Sequence, residues 1–368
     1  MISVLAVMCA PWRQVVRNEG TDDDREIELE AFDPDQAEQI DLLAWYAFAM
    51  AVRKQEKPDR EAQPFDRWIA DLRLPDAGYG PREFWGARRD GELVATASAY
   101  LLEGESDQVA LTSITVVPDR RRAGVGTAVL HLLLPLLEAR GRTVVEGWDL
   151  PEDGPGRRWA NAVGLRTAKS MVVQWLDTAD VDPVAWEVSV PDGYRVVDWS
   201  GEVPDESVDS FARALTAMRD APIGESGVVF PVWTVDLVRK SEAELRTSGI
   251  GRRGVLAVNE ATGEVAALTL LDFYPTLPTW GVQRDTVVVP AERGRGLGLC
   301  VKARMLRWLR EQRPEIDRVH TGTGSDNEHM IRINHLLGYR TTSVSVGVNA
   351  KISELRDRRV EVAGQETG

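Results

Sequence analysis

Hydrophobic and polar positions alternate in twos over Glu26–Phe32, which predicts a strand. The period then becomes helical from about Asp35 to Lys54, putting Ile40, Leu43, Ala44, Ala47 and Ala51 on one face. Pro58, Pro64, Pro75 and Pro81 surround a short helical piece near Phe65–Leu74. Phe84–Arg88 and Glu92–Leu102 flank Asp90-Gly91, the pattern of a hairpin. Val109–Val117 reads as a strand, Gly124–Arg140 as an apolar helix interrupted by Pro135, Thr143–Trp148 as a strand, Gly156–Val163 as a helix and Lys169–Leu176 as a strand. A polar, proline-bearing stretch over 177–193 reads as a linker.

The order of elements then recurs. Tyr194–Asp198 is a strand, Glu206–Arg219 and Val232–Ser248 are helices, and Val255–Phe273 is a hairpin about Thr262-Gly263. Asp285–Val289 is a strand, Gly296–Gln312 a helix, Arg318–Thr321 a strand, Asn327–Leu337 a helix and Thr341–Asn349 a strand. Val117-Pro118-x-x-Arg121-x-x-Gly124-x-Gly126 matches Val289-Pro290-x-x-Arg293-x-x-Gly296-x-Gly298, each pair offset by 172. Gly164-Leu165 and Gly338-Tyr339 follow at an offset of 174. The domains expected are 1–25 as an extension, 26–176, a linker over 177–193, 194–350, and a tail over 351–368. The length of 368 residues suits two cores, since one core stops growing beyond roughly 250–300 residues.

A strand that runs through a glycine turn into a helix builds an anion site. The first turn of the helix has N–H groups without intrahelical acceptors, and its dipole favours negative charge there. Glycine lets the backbone approach a phosphate, and Arg121, Arg122, Arg293 and Arg295 add positive charge. The bland reading of one copy is a tight turn that uses glycine for backbone freedom; two copies in register favour the anion site. Gly124-Val125-Gly126 lacks the third glycine of a dinucleotide fingerprint, since Thr127-Ala128-Val129 follows, and neither copy carries the Gly-Lys-Ser/Thr of a P-loop. No His, Cys, Asp or Glu group has zinc-ligand spacing, so no metal is expected.

Arg293-Gly294-Arg295-Gly296-Leu297-Gly298 after Val288-Val289-Pro290 resembles the acyl-CoA pyrophosphate loop of the GNAT acetyltransferase superfamily. Arg121-Arg122-Ala123-Gly124-Val125-Gly126-Thr127 after Val116-Val117 is similar. The likeness runs from about Arg25 to Val348 and is strongest to tandem GNAT proteins of actinobacterial type. It implies an α/β (α+β) fold of two tandem GNAT domains, each a mixed, mainly antiparallel sheet flanked by helices. It also implies acetyl-CoA, or another acyl-CoA, as co-substrate. An N-acyltransferase would pass the acyl group directly to a small-molecule or peptide amine, with the pantetheine along Val116-Val117 or Val287–Val289.

The resemblance places an Asn at the start of the last helix, which Asn327 matches, and a thiolate-protonating Tyr seven residues on, where Asn334 stands. Both positions are lost in the first half, at Asp153 and Ala160. The resemblance also places a basic carboxylate five positions before Asn327, where Gly322 stands. The next residue on the same strand face, His320, is then the base candidate, with Glu146 its counterpart 174 earlier and Asp285 a supporting carboxylate on the face opposite Arg284 and Thr286. Its better-kept loop and Asn327 make the C-terminal half the catalytic expectation. The alternative class is a non-catalytic acyl-CoA-binding, sensor or interaction module.

Charge narrows the partners. The chain holds 44 Lys+Arg against 58 Asp+Glu, a formal charge of −14, which argues against nucleic-acid backbone binding. Two cysteines, Cys9 and Cys300, fit a reducing cytoplasm better than a disulfide framework. The apolar Met1–Ala10 is too short to span a bilayer and is expected to be an extra strand or an ordinary extension, and no membrane association is expected. Cys300, near the glycine turn, is expected to be a packing residue.

Overall fold

The computed structural model describes residues 15–17, 27–56, 62–73 and 79–357. The expectations for Met1–Ala10 and for the tail after Asp357 lie outside the described residues. The chain divides into two compact units, the first Met1–Thr167 with Val348–Gly368 and the second Ala168–Gly347.

In the first unit, β1 (Val15–Arg17), β2 (Glu28–Phe32), β3 (Arg82–Arg89), β4 (Glu92–Leu101) and β5 (Val109–Val116) pair antiparallel in that order. β6 (Val144–Pro151) joins β5 in parallel. Helices α1 (Gln39–Glu56), α2 (Phe65–Arg73), α3 (Val125–Glu138) and α4 (Pro155–Val163) flank this mixed sheet. Asp90 and Gly91 both have positive φ, 54° and 77°, which closes the β3–β4 hairpin with a twist that suits the strands. In α1 the buried face is Leu42, Trp45 and Phe48, while Ile40 and Leu43 are exposed. The face chosen by aliphatic count is therefore corrected. Trp45 stacks on Phe32 at 4.0 Å and meets Phe84 edge-on at 6.2 Å, and the large rings decide which side of the helix turns inward.

The second unit repeats the plan. β8 (Tyr194–Ser200), β9 (Gly251–Asn259), β10 (Val265–Phe273) and β11 (Trp280–Val288) pair antiparallel, and β12 (Arg318–Gly324) joins β11 in parallel. Helices α5 (Asp205–Thr216) and α6 (Val235–Thr247) cover one face, and α7 (Leu297–Gln312) and α8 (Glu328–Leu336) the other. Along β10, Ala267 and Leu271 join the core beneath α7, while Leu268 and Leu270 join the core beneath α5. Both faces are covered, which is why Val265–Leu271 reads as a nearly unbroken apolar run.

The boundary between units differs from the linker read in the sequence. β7 (Arg166–Asp177) pairs antiparallel with β12 over Met171–Asp177, so its backbone bonds hold it in the second unit's sheet. Residues 177–193 lie in the second unit as well. Asp182 caps a 3-10 turn over Pro183–Trp186, and Trp186 is 1% exposed with its indole N–H donating to the Leu337 carbonyl at 2.9 Å. The last strand, β13 (Arg340–Lys351), passes from the second unit into the first after Gly347. Among the described residues, no helix is long and apolar enough to cross a membrane.

Candidate active site

In each unit a parallel strand pair opens into a fork. β11 and β12 are in register only over Trp280–Val282 against Arg318–His320, although they run on to Val288 and Gly324. β5 and β6 are in register only over Val109–Leu111 against Val144–Glu146. The last paired residues are thus Val282 with His320, and Leu111 with Glu146. The strands part beyond them and leave a cleft between their backbones.

At the far end of β11 the glycine turn enters α7. Gly294 and Gly296 have φ of 81° and 78°, and Gly124 has 73°. A Cβ at any of these three would meet nothing within 4 Å, so the turn faces open space where a side chain would otherwise stand. The first intrahelical bond is Cys300 N–H to the Gly296 carbonyl, matched by Ala128 N–H to the Gly124 carbonyl, both 3.0 Å. Leu297, Gly298 and Leu299 in one unit, and Val125, Gly126 and Thr127 in the other, therefore precede any intrahelical acceptor, which suits an anion. Thr127 also accepts from the Trp159 indole at 3.1 Å.

The loop arginines act first as braces. Arg293 Nε donates to the Val288 carbonyl at 3.3 Å, and its Nη2 donates to Asp220 at 2.9 Å. Arg121 does the same with the Val116 carbonyl at 2.9 Å and with Glu56 at 2.7 Å. Each turn is thereby tied to its own strand end and to a second element, the end of α1 or the 3-10 turn Ala217–Asp220. Arg295 is held by Glu292 at 3.3 Å and donates to the Tyr194 hydroxyl at 3.1 Å. Tyr194 donates to Glu292 at 2.5 Å; that bond lowers the Glu292 carboxyl and raises the Tyr194 phenol. Val289 N–H donates to Ala266 and Val117 N–H to Val94, so these two amides are already bonded within the sheet.

The two forks differ at one point. β4 and β5 pair without interruption from Ala95↔Val116 to Leu101↔Ala110. Between β10 and β11 the register shifts, from Leu271↔Gln283 to Thr269↔Thr286, so Arg284 and Asp285 together oppose Leu270 alone. The repeat records the same extra residue. Trp280 stands 171 after Val109, its counterpart in the register, whereas Val288 stands 172 after Val116. Such a bulge interrupts the regular ladder locally and re-aims side chains. Gln283 and Thr286 both hydrogen-bond Thr269, at 2.9 and 2.8 Å, and share a face that strict alternation would deny them. Counting in twes from Thr286 therefore does not fix the face of Asp285, which is a bulge residue.

The proton-path candidates fall in different environments. His320 is half-buried at the fork of the second unit, its ring 4.8 Å from that of Trp175 on β7. Its neighbour Val319 is buried in the α7 core, so alternation turns His320 toward the opposite face of the sheet. Glu146 is fully buried and accepts the Trp148 indole N–H at 2.5 Å. Asn327 caps α8, accepting from Met330 N–H at 3.1 Å. Asn334 is fully buried, donating to Gln174 at 2.8 Å and Thr323 at 3.4 Å. Cys300 is buried, which pushes its thiol up rather than activating it. Pro222 comes close to the end of β12, where a Cβ on Gly324 would lie 3.7 Å from its carbonyl oxygen.

Sequence reasoning did not single out Glu56 and Asp220 as braces, nor Gln174 and Trp175 as neighbours of Asn334 and His320. No spacing signal links them, because tertiary pairing alone brings them together. Lys302 was also missed, although an ionisable residue within the apolar face of α7 was the available signal.

Comparison with known proteins follows this geometry. Residues 40–153 match the acetyltransferase (GNAT) family model. A mycothiol acetyltransferase of Nocardia farcinica is 28% identical over 273 residues, covering 72% of this chain and 81% of that protein. One of Actinosynnema mirum is 28% identical over 314 residues, covering 84% and 94%. Among solved structures, a tandem GNAT protein from the clavulanic acid biosynthesis pathway superposes with a TM-score of 0.71 at 24% identity, covering 89% of this chain and 98% of that one. A GCN5-related N-acetyltransferase from Sphaerobacter thermophilus gives 0.63 at 18%, covering 89% and 96%. Residues 40–153 are thus similar to the acetyltransferase (GNAT) family, and the chain shares its fold with tandem GNAT proteins.

Proposed function

We propose that the second unit transfers acetyl from acetyl-CoA to a small-molecule or peptide amine in the cytoplasm. The observation that carries this reading is the bulge at Arg284–Asp285, set beside the fork in the second unit and without a counterpart in the β4–β5 pairing of the first. Gly294, Gly296, Leu297 and Gly298 would hold the pyrophosphate through backbone N–H groups, with Arg293 and Arg295 fixing the loop. The backbone of β11 would pair with the pantetheine. The bulge backbone, out of step with the ladder to β10, is suited to polarise the acyl carbonyl, a contribution worth several kcal/mol in other acyl transfers.

The amine nitrogen attacks the carbonyl, a C–N bond forms and the C–S bond breaks. His320 at the fork takes the proton from nitrogen. Asn334 carries no acidic proton and is bonded to Gln174, so water protonates the leaving thiolate. The first unit keeps a pyrophosphate turn, with Val116, Val117, Arg121, Arg122 and Gly124–Thr127, and serves as a second acyl-CoA site or as a scaffold. The names of the curated relatives make a mycothiol-related amine the first acceptor to try.

The test is thiol release from acetyl-CoA with a panel of amines, in the wild type, Gly296→Glu and Gly124→Glu. Gly296→Glu puts a carboxylate where the pyrophosphate belongs and should abolish turnover, while Gly124→Glu should keep most of it. The reverse result would exchange the roles of the units. Binding of acetyl-CoA with no turnover on any amine would replace transfer by sensing.

A further inference from the structure

We infer that the outer face of α1 is a self-association surface, on which a second copy of this chain packs its own α1 antiparallel. The helix is apolar on two opposite sides. Leu42, Trp45 and Phe48 are buried in the first unit, while Ile40, Leu43, Ala47 and Ala51 form an exposed row on the other side. Ile40 is 72% and Leu43 46% exposed, and Ile40 is the most exposed large hydrophobic side chain among the described residues. Single exposed apolar residues are ordinary on a protein surface, whereas a row at this spacing along one helix is a seam.

The seam fits its own copy. With Lys54 at its end, the row is spaced three, four, four and three residues, the same from either end. A two-fold axis beside Ala47 therefore sets Ala47 against Ala47, Leu43 against Ala51, and Ile40 against the alkyl stem of Lys54. Large meets small on either side of the axis, and alanine at the centre lets the two backbones approach closely. The charges match as well. Lys54 closes the C-terminal end of the row, and the other end carries Asp35, Glu38 and Asp41. Asp35 and Asp41 are engaged with Arg73 at 3.3 Å and Arg88 at 3.1 Å, whereas neither Glu38 nor Lys54 enters an ion pair among the described residues. Reversal brings the Lys54 end of one copy to the acidic end of the other, and it opposes the two helix dipoles. An anionic lipid surface would meet repulsion from these carboxylates, and a foreign helix would not require a palindromic spacing. The seam is about 21 Å long, at the low end of interface size, which sets the dimer in the micromolar range. The assignment rests on the surface of α1 alone and holds whichever unit transfers acetyl.

The experiment is sedimentation velocity of the full chain over a concentration series, joined to disulfide trapping. The wild type should pass from monomer to dimer in the micromolar range. Leu43→Glu should weaken association at least about ten-fold, and Lys54→Glu about three-fold. In a Cys9→Ser background, where the remaining native thiol Cys300 is buried, Ala47→Cys should give a disulfide-linked dimer on mild oxidation, because the axis passes beside it. Ile40→Cys should not, since its two copies would lie about 20 Å apart along the helices. The substituted positions on α1 are exposed, and circular dichroism checks folding; should Leu43→Glu fail to fold, the two cysteine variants carry the test. A wild type that stays monomeric to about 100 µM would leave the row to another occupant, a foreign helix or this chain's own Met1–Ala10, and overturn the proposal. Association unchanged in folded Leu43→Glu or Lys54→Glu, or trapping through position 40 rather than 47, would overturn it as well.

Discussion

Arg122 and Gly294 hold the same place in the two glycine turns, and both adopt left-handed backbone, with φ of 65° and 81°. Glycine takes that conformation freely, whereas a residue with a Cβ pays about 1–2 kcal/mol, partly offset by its smaller unfolded-state entropy. Arg122→Gly should therefore stabilise the first unit by about 0.5–1 kcal/mol, and Gly294→Ala should cost the second about 1 kcal/mol. Chemical denaturation of each variant reads both. Opposite signs would mean that the turns are not held by backbone conformation.

Asn327 closes the N-terminus of α8 by accepting from Met330 N–H. Asn327→Ala should cost about 1 kcal/mol, and Asn327→Asp should restore most of it, since aspartate caps equally well and meets the helix dipole favourably. A measured loss with alanine that aspartate fails to recover would point to a role in ligand contact.

Lys302 is fully buried on α7, its ammonium 5.3 Å from the centroid of the Tyr339 ring. Burial lowers its pKa from 10.5 to about 7, and it raises the Tyr339 phenol well above its ordinary value. The unfolded chain thus binds the extra proton between these limits. Stability should climb as pH rises from about 7 toward 10.5, and the burial penalty should be complete below about 7. Lys302→Met, similar in length and apolar, should raise Tm most at or below neutral pH, with the advantage fading toward alkaline pH. A pH-independent difference between the two proteins would remove the lysine from this account.

His320→Ala should lower acetyl transfer by about 10²–10⁴, the usual reach of general base catalysis. Acetyl-CoA affinity should hold, because the residue sits at the fork, at the opposite end of β11 from the glycine turn. The ascending limb of the pH–rate profile should disappear with the ring. Near wild-type turnover across pH would leave solvent as the proton acceptor.

Much of this molecule was legible along the chain. The offset of 172 between the two Arg-x-x-Gly-x-Gly runs announced the repeat, and the local chemistry of glycine announced the left-handed turns at Gly124 and Gly296. Local signals suffice there because a turn and the first turn of its helix are built by neighbours in sequence. The inward face of α1 was misread because Ile40 and Leu43 are as apolar as a core residue, and only the stacking of Trp45 on Phe32 shows which side turns in.

What the sequence by itself determined is the pair of strand–turn–helix repeats, the mixed sheets flanked by helices and the likeness to acetyltransferases. The tertiary structure alone decided that β7 and the stretch after it belong to the second unit, that Glu56 and Asp220 brace the turns, and that a bulge distinguishes one fork from the other. Periodicity reports which residues share a face of one element. It carries no information on which distant strand supplies the backbone partner, and a single inserted residue in β11 shifts the register without disturbing the apolar pattern on either side.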